Sequence, residues 1–488
     1  MHSHVDHGVR SGSCGLILHA TLLTVALAGC ATNRPDPQAE ASMTRAAGLA
    51  EAITFRTDGG PLDEPGAGDV LTMAEAVRRA ATSDPGLQAA LARVRIAMAD
   101  ADQARLLPNP VLNFTLRWGH GKPQIEVSLA QDLIQALRIP RQASAADNRL
   151  RQAAAEAVTV ALDTVAQVQE RYVAAQTLES LVPVLLERRE LVERLVTVAR
   201  ARLEAQEGIR SDLTTLEAQR VELDVDVAEA RRQLQEERLR LARMIGEPSS
   251  AASWRLDAWA PPSLATGAEG AWIDAALMNR PEIQSVAWTL AALGDDEALT
   301  GLLPWEGAGV GVDVQRDDDW FAGPSIATPI PVFDTGQARL ARVTAEQIEA
   351  RHNLTLAKRR VVEEVRVALR SLEASAANLH RVQAELVPLQ QQRRLQAEAA
   401  YRAGLTDVTG LFLAEQDLRA ARTKEIEVER QMSVALVRLH RAVGGPGIAA
   451  SVDRAAPVPA EAPTSTRPAP VFAGPESLTL SATPEIRQ

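Results

Sequence analysis

From residue 71 onward the apolar positions follow two rhythms, one repeating every three to four residues as helices do and one alternating as half-buried strands do. The helical rhythm covers 72–107, about 140–206, and a further run to Gly246; it returns over 272–303, about 336–403, and on to Gly444. Pro108 and Pro304 stop the first stretch of each set, and Gly208 and Gly404 sit in the turns before the last. At about 1.5 Å per residue each long stretch would reach roughly 100 Å and the last helix about 50–55 Å. Two shorter helices laid end to end therefore match one long one, the length rule of a uniform cylinder.

The last helix of each set carries a seven-residue repeat. Its seams are Leu213, Arg220, Val227, Leu234, Leu241 with Leu216, Leu223, Ala230, Glu237, Met244, and Leu411, Leu418, Glu425, Met432, Leu439 with Ala414, Ala421, Val428, Ala435, Ala442. That period imposes coiled-coil packing, and the small residues let helices approach closely. Pro183 and Pro388 fall inside the long stretches and are expected to kink them, marking a belt midway along.

Between the first and second helical stretches lie the strand candidates. Leu112, Phe114, Leu116 and Trp118 alternate with Val111, Asn113, Thr115 and Arg117; Ile125, Val127 and Leu129 alternate with Gln124, Glu126 and Ser128. In the second set Val310, Val312 and Val314 alternate with Gly309, Gly311 and Asp313, and a weaker strand spans about 320–328 with Gly323 and Pro324 inside it. Such alternation is the mark of a membrane barrel, and equally of edge strands in a soluble sandwich. Four strands cannot close a barrel, so the membrane reading requires association, eight strands in a dimer or twelve in a trimer.

The two sets are copies. Pro85-Gly-Leu-Gln and Pro281-Glu-Ile-Gln lie 196 residues apart, as do Leu106-Leu107-Pro108 and Leu302-Leu303-Pro304. Ser211-Asp212-Leu213 and Thr406-Asp407-Val408 follow at 195, and Arg240 to Pro248 matches Arg438 to Pro446 at 198. The repeats are thus 71–248 and 272–446, joined by a linker over 249–271 that contains Trp254 and Pro262. A segment over 30–70 precedes them, and the Pro-rich stretch 447–488 reads as a disordered tail.

Composition narrows the classes. Aromatic residues are 3% of the chain, which suits long helices packed through small side chains better than an enzyme core. The formal charge of −11 and the lack of a basic stripe exclude nucleic acid as partner. Histidines 120, 352, 380 and 440 are isolated, there is no carboxylate or Cys/His cluster with metal-ligand spacing, no phosphate loop and no nucleophile elbow. Acidic runs such as Glu363-Glu364 read as solvated faces. The chain reads as a conduit with no catalytic residue, no metal and no cofactor.

An apolar run from Gly15 to Ala28 ends in Leu27-Ala28-Gly29-Cys30. It predicts a signal peptide over 1–29, and the four residues resemble the bacterial lipobox, which implies lipidation of Cys30. No other stretch approaches the length of a membrane helix, so a membrane-crossing mature chain would have to do so as a barrel.

Over about 71–446 the chain resembles the TolC-type outer-membrane efflux family, closest to the channel subunits of heavy-metal resistance-nodulation-division pumps. Ala104-Arg105-Leu106-Leu107-Pro108-Asn109-Pro110, Ala403-Gly404-Leu405-Thr406-Asp407, Ala414-Glu415-Gln416-Asp417-Leu418 and the duplicated architecture carry the resemblance; Ile134 to Arg141 departs from the family's strand-to-helix join. The resemblance implies a mainly α fold with a membrane β-barrel. It implies a homotrimer with a twelve-stranded barrel and a helical tunnel, set in the outer membrane among its lipids. It further implies docking to a periplasmic adaptor and an inner-membrane pump, and passive export of metal cations or drugs. A protein-secretion channel of type I would share this fold, and an adaptor lipoprotein would have one hairpin, not two.

The resemblance assigns the periplasmic tip, where adaptor contact and gating occur, to Gly208, Ile209, Ser211 and Asp212 and to Gly404, Leu405, Thr406 and Asp407. Asp212 and Asp407 are expected at equivalent places, capping the helices that begin there, with a cation-favouring ring of carboxylates as the additional effect.

Overall fold

The computed structural model describes residues 37–48, 53–57, 70–119, 123–206, 208–246, 252, 254–257, 267–316, 319–403, 405 and 408–455. In chain order these form α1 (Pro37–Ala47), β1 (Val70–Leu71), α2 (Met73–Ser83), α3 (Pro85–Gln103), β2 (Val111–Arg117), β3 (Gln124–Asp132), α4 (Leu133–Glu204) and α5 (Arg210–Ile245). There follow β4 (Arg255–Leu256), α6 (Glu269–Asn279), α7 (Pro281–Thr300), β5 (Gly309–Arg316), β6 (Trp320–Ala327) and α8 (Gln337–Arg381). After a π turn (Val382–Leu386) come α9 (Val387–Arg402), α10 (Val408–Val443) and α11 (Pro446–Ala455).

The two copies have the expected order of elements, with three differences in the helices. The first stretch of each copy is two helices, not one. Pro85 and Pro281 stand at N1, and the residues before them, Asp84 and Arg280, are extended at ψ 118 and 120. A proline ring excludes the helical region for its predecessor, and its missing N–H is lost at no cost at a helix start. The long helix of the first copy begins at Leu133, about two turns earlier than the pattern over 140–206 indicated; Asp132 caps it by accepting from the Gln135 N–H at 2.9 Å, and Pro140 is taken within the helix. Pro183 also lies in an unbroken helix, whereas Pro388 directly follows the π turn. Pro183 is 21 residues before the end of α4 and Pro388 is 14 before the end of α9.

The segments outside the copies are partly built into the fold. β1 pairs in parallel with β4, which lies in the linker. The Tyr172 hydroxyl pins that pair, donating to the Leu71 carbonyl at 2.9 Å and accepting from the Asp257 N–H at 3.1 Å. Met43 of α1 is fully buried. α11 corrects the expectation of disorder from 447 onward: Ala449 and Val452 are buried against the second copy, so this part of the tail is a docked helix.

Each copy owns a core. The first gathers Leu71, Val77, Leu87, Val168, Tyr172, Leu241, Ile245 and Trp254; the second gathers Trp272, Ile283, Val365, Leu372, Met432, Leu439 and Val452. The seven-residue seams are buried as expected, with Leu223, Val227, Ala230, Leu241 and Met244 in α5 and the whole Ala/Val seam of α10.

Neighbouring elements make the chain a wall. Above the cores the helices stand in the order α3, α4, α7, α8; below them the order is α5, α4, α10, then α8 and α9. The sheet order is β2-β3-β5-β6, antiparallel throughout. One edge of the wall belongs to the first copy and the other to the second. At about 1.5 Å per residue the 72-residue α4 is about 110 Å long.

Candidate conduit: a two-faced sheet and a helical tip

Strand register sorts the alternating residues into rows. Leu112, Leu129, Val312 and Pro324 pair across the sheet; so do Phe114, Val127, Val314 and Ala322, and Leu116, Ile125, Arg316 and Trp320. All twelve share one face, because partners in register point the same way and the period along each strand is two. The other face carries Asn113, Ser128, Asp313 and Gly323, then Thr115, Glu126, Gln315 and Phe321. The weak fourth strand is therefore formed, with Gly323 and Pro324 in opposite faces of an edge, where a missing N–H is tolerated.

The apolar face is unusually bare for a single chain: Leu112 is 67% exposed, Phe114 64% and Ile326 80%. Such a contiguous patch marks a surface meant to meet lipid or protein. Aromatic residues stand at both ends of it, Trp118 and Trp320 at the hairpin end and Trp305 and Phe333 at the helix end. Crowding lies on the polar side. A Cβ on Gly311 would come within 2.7 Å of the Leu129 carbonyl oxygen and 2.8 Å of Ser325 Oγ, so that row closes only with glycine. Arg117 on this side pairs with Glu126 at 3.3 Å.

At the opposite end α4 turns back into α5. Gly208 folds against the last turn of α4: a Cβ there would stand 3.1 Å from Arg202 Cβ and Leu203 N. Ile209 and Leu405 project from the two turns, 68% and 79% exposed. Asp212 is not the cap it was expected to be. α5 starts at Arg210 with Ile209 at the cap position and no side-chain cap bond, which makes Asp212 the third helical residue. Its carboxylate sits in the first turn, where the helix dipole favours a negative charge, and accepts from Ser211 Oγ at 3.4 Å. α10 is described from Val408 onward; Gly404, Thr406 and Asp407 lie outside the described residues, as does Cys30.

The tip is shared between the copies. Phe412 of α10 is buried among Val192, Leu195, Val196 and Leu223 of the first copy. Beside it a cavity of about 250 Å³ is lined by Leu195, Ile209, Asp212, Leu216 and Leu413. Sequence reasoning placed the turns but missed this groove, because only the apposition of α4, α5 and α10 creates it.

Two polar centres higher up also escaped the sequence reading. Asp295 of α7, 7% exposed, accepts from Arg141 at 3.1 Å, Ser144 at 2.6 Å and Asn148 at 3.1 Å, all on α4. Arg280, 3% exposed, donates to Glu282, to Glu364 at 2.7 Å and to the Ala442 carbonyl at 3.0 Å. Arg441 bridges Glu282 and Asp163, each at 2.6 Å. Burial alone would raise the Glu282 carboxyl; the guanidiniums of Arg441 and Arg280 outweigh it and hold the group below the usual carboxylate range. Glu364, read from sequence as a solvated charge, thus has a buried partner. Asp163–Arg441, Glu170–Arg438 and Glu187–Arg419 form a ladder that registers α4 against antiparallel α10.

Among the described residues no helix is long and apolar enough to cross a membrane, and no group of His, Cys, Asp and Glu could hold a metal ion. No curated protein matches the chain. Residues 272–445 match the family described as outer membrane efflux protein. Solved structures share the fold across most of the chain. The outer membrane protein VceC of Vibrio cholerae is 16% identical, with 76% of this chain and 96% of that one covered at a TM-score of 0.64. CusC, whose structures concern folding and transmembrane channel formation, is 16% identical over 81% and 99%, at 0.64. The open outer membrane channel MtrE of Neisseria gonorrhoeae is 17% identical over 81% and 96%, at 0.62.

Proposed function

We propose that this chain, an outer membrane efflux protein by the pattern of its second repeat, is the outer-membrane channel of a tripartite efflux system, closing as a homotrimer. The observation that carries the reading is the open, two-faced sheet standing on rods of about 100 Å. With no water in a bilayer core to satisfy β2 and β6, both edges must pair, and four strands close only with further copies. Three give twelve strands. The first-copy edge of one chain then meets the second-copy edge of the next, a head-to-tail contact that closes into a ring.

In this reading the apolar face meets lipid between its two aromatic ends, and the polar face lines the lumen. The helices cross the periplasm to a tip where Ile209 and Leu405 meet an adaptor that leads to an inner-membrane pump. The chain itself conducts passively, and small substrates such as metal cations or drugs pass through it. Asp212 at the tip adds negative charge to the entrance, and Cys30 carries the lipid anchor.

Native mass spectrometry of the detergent-solubilised protein is the decisive measurement. The expected mass is about three chains of roughly 52 kDa, with single-channel conductance in planar bilayers. A stable monomer without conductance overturns the proposal. Uptake of labelled palmitate by the wild type, and none by Cys30→Ser, tests the anchor separately.

A further inference from the structure

One aromatic ring of the described strands stands on the polar face of the sheet. Phe321 of β6, 62% exposed, shares the row of Thr115, Glu126 and Gln315, whereas Phe114 and Trp320 lie on the apolar face. Two residues along, Asp313 of β5 pairs with Ser128 and Gly323. Its neighbours on the same face of β5 are Gly311 and Gln315, so none of the four residues adjoining it there is a base. Arg316 falls on the other face, and Arg117 is held by Glu126 at 3.3 Å. Asp313 and Phe321 are diagonal neighbours, about 7–8 Å apart by backbone and within reach of an aromatic side chain. Gly323 puts no side chain in the corner between them, and a Cβ there would meet nothing within 4 Å.

We infer that Asp313 and Phe321 form a site in the barrel lumen for an organic cation, a quaternary or protonated amine on an apolar body. This rests on the barrel reading above, in which the polar face is wet. A phenyl ring on that face gains nothing from lipid, and its π face attracts a cation within about 6 Å of the ring centre. The carboxylate supplies the charge, and the ring covers an apolar body that a metal ion lacks. Gly323 leaves room for one ligand to touch both. The wider setting favours the same sign. The strands with their hairpins, 111–132 and 309–327, hold six acids, three of them in the run Asp317-Asp318-Asp319, against three bases, so 3 − 6 = −3 per chain.

The test uses the full-length trimer in lipid nanodiscs, with benzyltrimethylammonium as the probe and its binding titrated by saturation-transfer NMR. Wild-type protein is expected to bind the probe and to ignore benzenesulfonate, an anion of similar size. Asp313→Asn should weaken binding about fivefold, the worth of one unit charge at contact distance in water. Phe321→Leu keeps an apolar side chain without the π face and should weaken it about two- to fivefold. Asp313→Glu and Phe321→Tyr should keep most of the affinity. Native mass spectrometry checks that each variant is still a trimer; should Asp313→Asn fail to assemble, Asp313→Glu and Phe321→Leu carry the test. Equal binding of benzenesulfonate by the wild type, or unaltered binding in either Asp313→Asn or Phe321→Leu, overturns the site. If the chain forms no oligomer and inserts into no bilayer, the barrel reading falls and takes this site with it; a conducting trimer that does not bind the probe removes the site alone.

Discussion

At the joint between its two upper helices the first repeat is closed by apolar packing around one phenol, the second by five charges. Asp84 and Arg280 are the matching residues. Asp84 caps α3 locally, accepting from the Leu87 N–H, while Ser83 reaches the carbonyl of Met244 at a long 3.4 Å. Arg280 makes the corresponding reach, to the carbonyl of Ala442, and draws Glu282, Glu364, Arg441 and Asp163 into one knot. The backbone break is the same and the chemistry that covers it is not. In the first repeat Tyr172, Trp254 and the short parallel strands leave little for a charge to do. Proline sets the break, and each copy has then found its own way to satisfy the backbone groups exposed there.

Arg280→Ala should separate the repeats most sharply. It leaves Glu364 and the Ala442 carbonyl without that donor, while Glu282 keeps Arg441, at a cost of about 1–3 kcal/mol. Hydrogen exchange followed peptide by peptide should rise around α6, α7 and the end of α10 while the first repeat stays protected. Equal loss in both would mean the cores are one cooperative unit. Tyr172→Phe is the reciprocal change: the Leu71 carbonyl and the Asp257 N–H each lose the hydroxyl but keep one another at 3.3 Å, so the cost is about 0.5–1.5 kcal/mol, read in β1, β4 and α2.

The pH dependence should run in opposite directions. Glu282 is held below its ordinary 4.5, so its stabilisation is present above that value and is lost as pH falls through the lower folded value. Tyr172 is raised above its ordinary 10.0, burial being the main cause. Its contribution is present below 10.0 and lost as pH rises through the higher folded value. Acid should thus loosen the second repeat first, and alkali the first, in the same exchange experiment.

Ser83→Ala and Asp212→Asn should do least to stability, each within about 0.5 kcal/mol by thermal melting. Asp212 is not a cap, so Asn there has no capping bond to preserve. Its effect belongs to conduction: a smaller cation preference in reversal potentials, and unchanged potentials would remove Asp212 from the entrance.

Much of this was legible along the chain. Because both signals are periodic and local, alternation located all four strands of the sheet, and the seven-residue seams named many of the buried positions of α5 and α10, though not Ala242, Ile245, Phe412, Val437 or Val443. Pro85 and Pro281 were used to align the repeats, yet their breaks were missed: the apolar rhythm runs on across them, and the extended residue before each proline leaves no mark in that rhythm. Asp212 was expected to cap α5 at the tip that the family resemblance assigned; the helix begins two residues earlier, at Arg210, and a run of polar letters carries no mark of where the backbone turns helical. The Arg280 knot could not be found from periodicity, since its members come from four helices and look, one by one, like surface charge. α11 was hidden by the proline-rich composition that follows it.

The π turn ahead of Pro388 sets an angle as well as relieving a proline. There the Val387 N–H reaches back to the Val382 carbonyl, five residues away. One residue more per turn rotates everything after it by about 100° relative to a helix that simply continued. Leu372, Leu379 and Val382 lie in the core on one side of that step, and on the other Arg394 meets Glu415 at 2.7 Å and Arg393 meets Asp417. The step thus phases the lower quarter of the rod. Deleting a single residue from it would swing both arginines about a quarter-turn off α10, while the same deletion in a loop would be absorbed without trace.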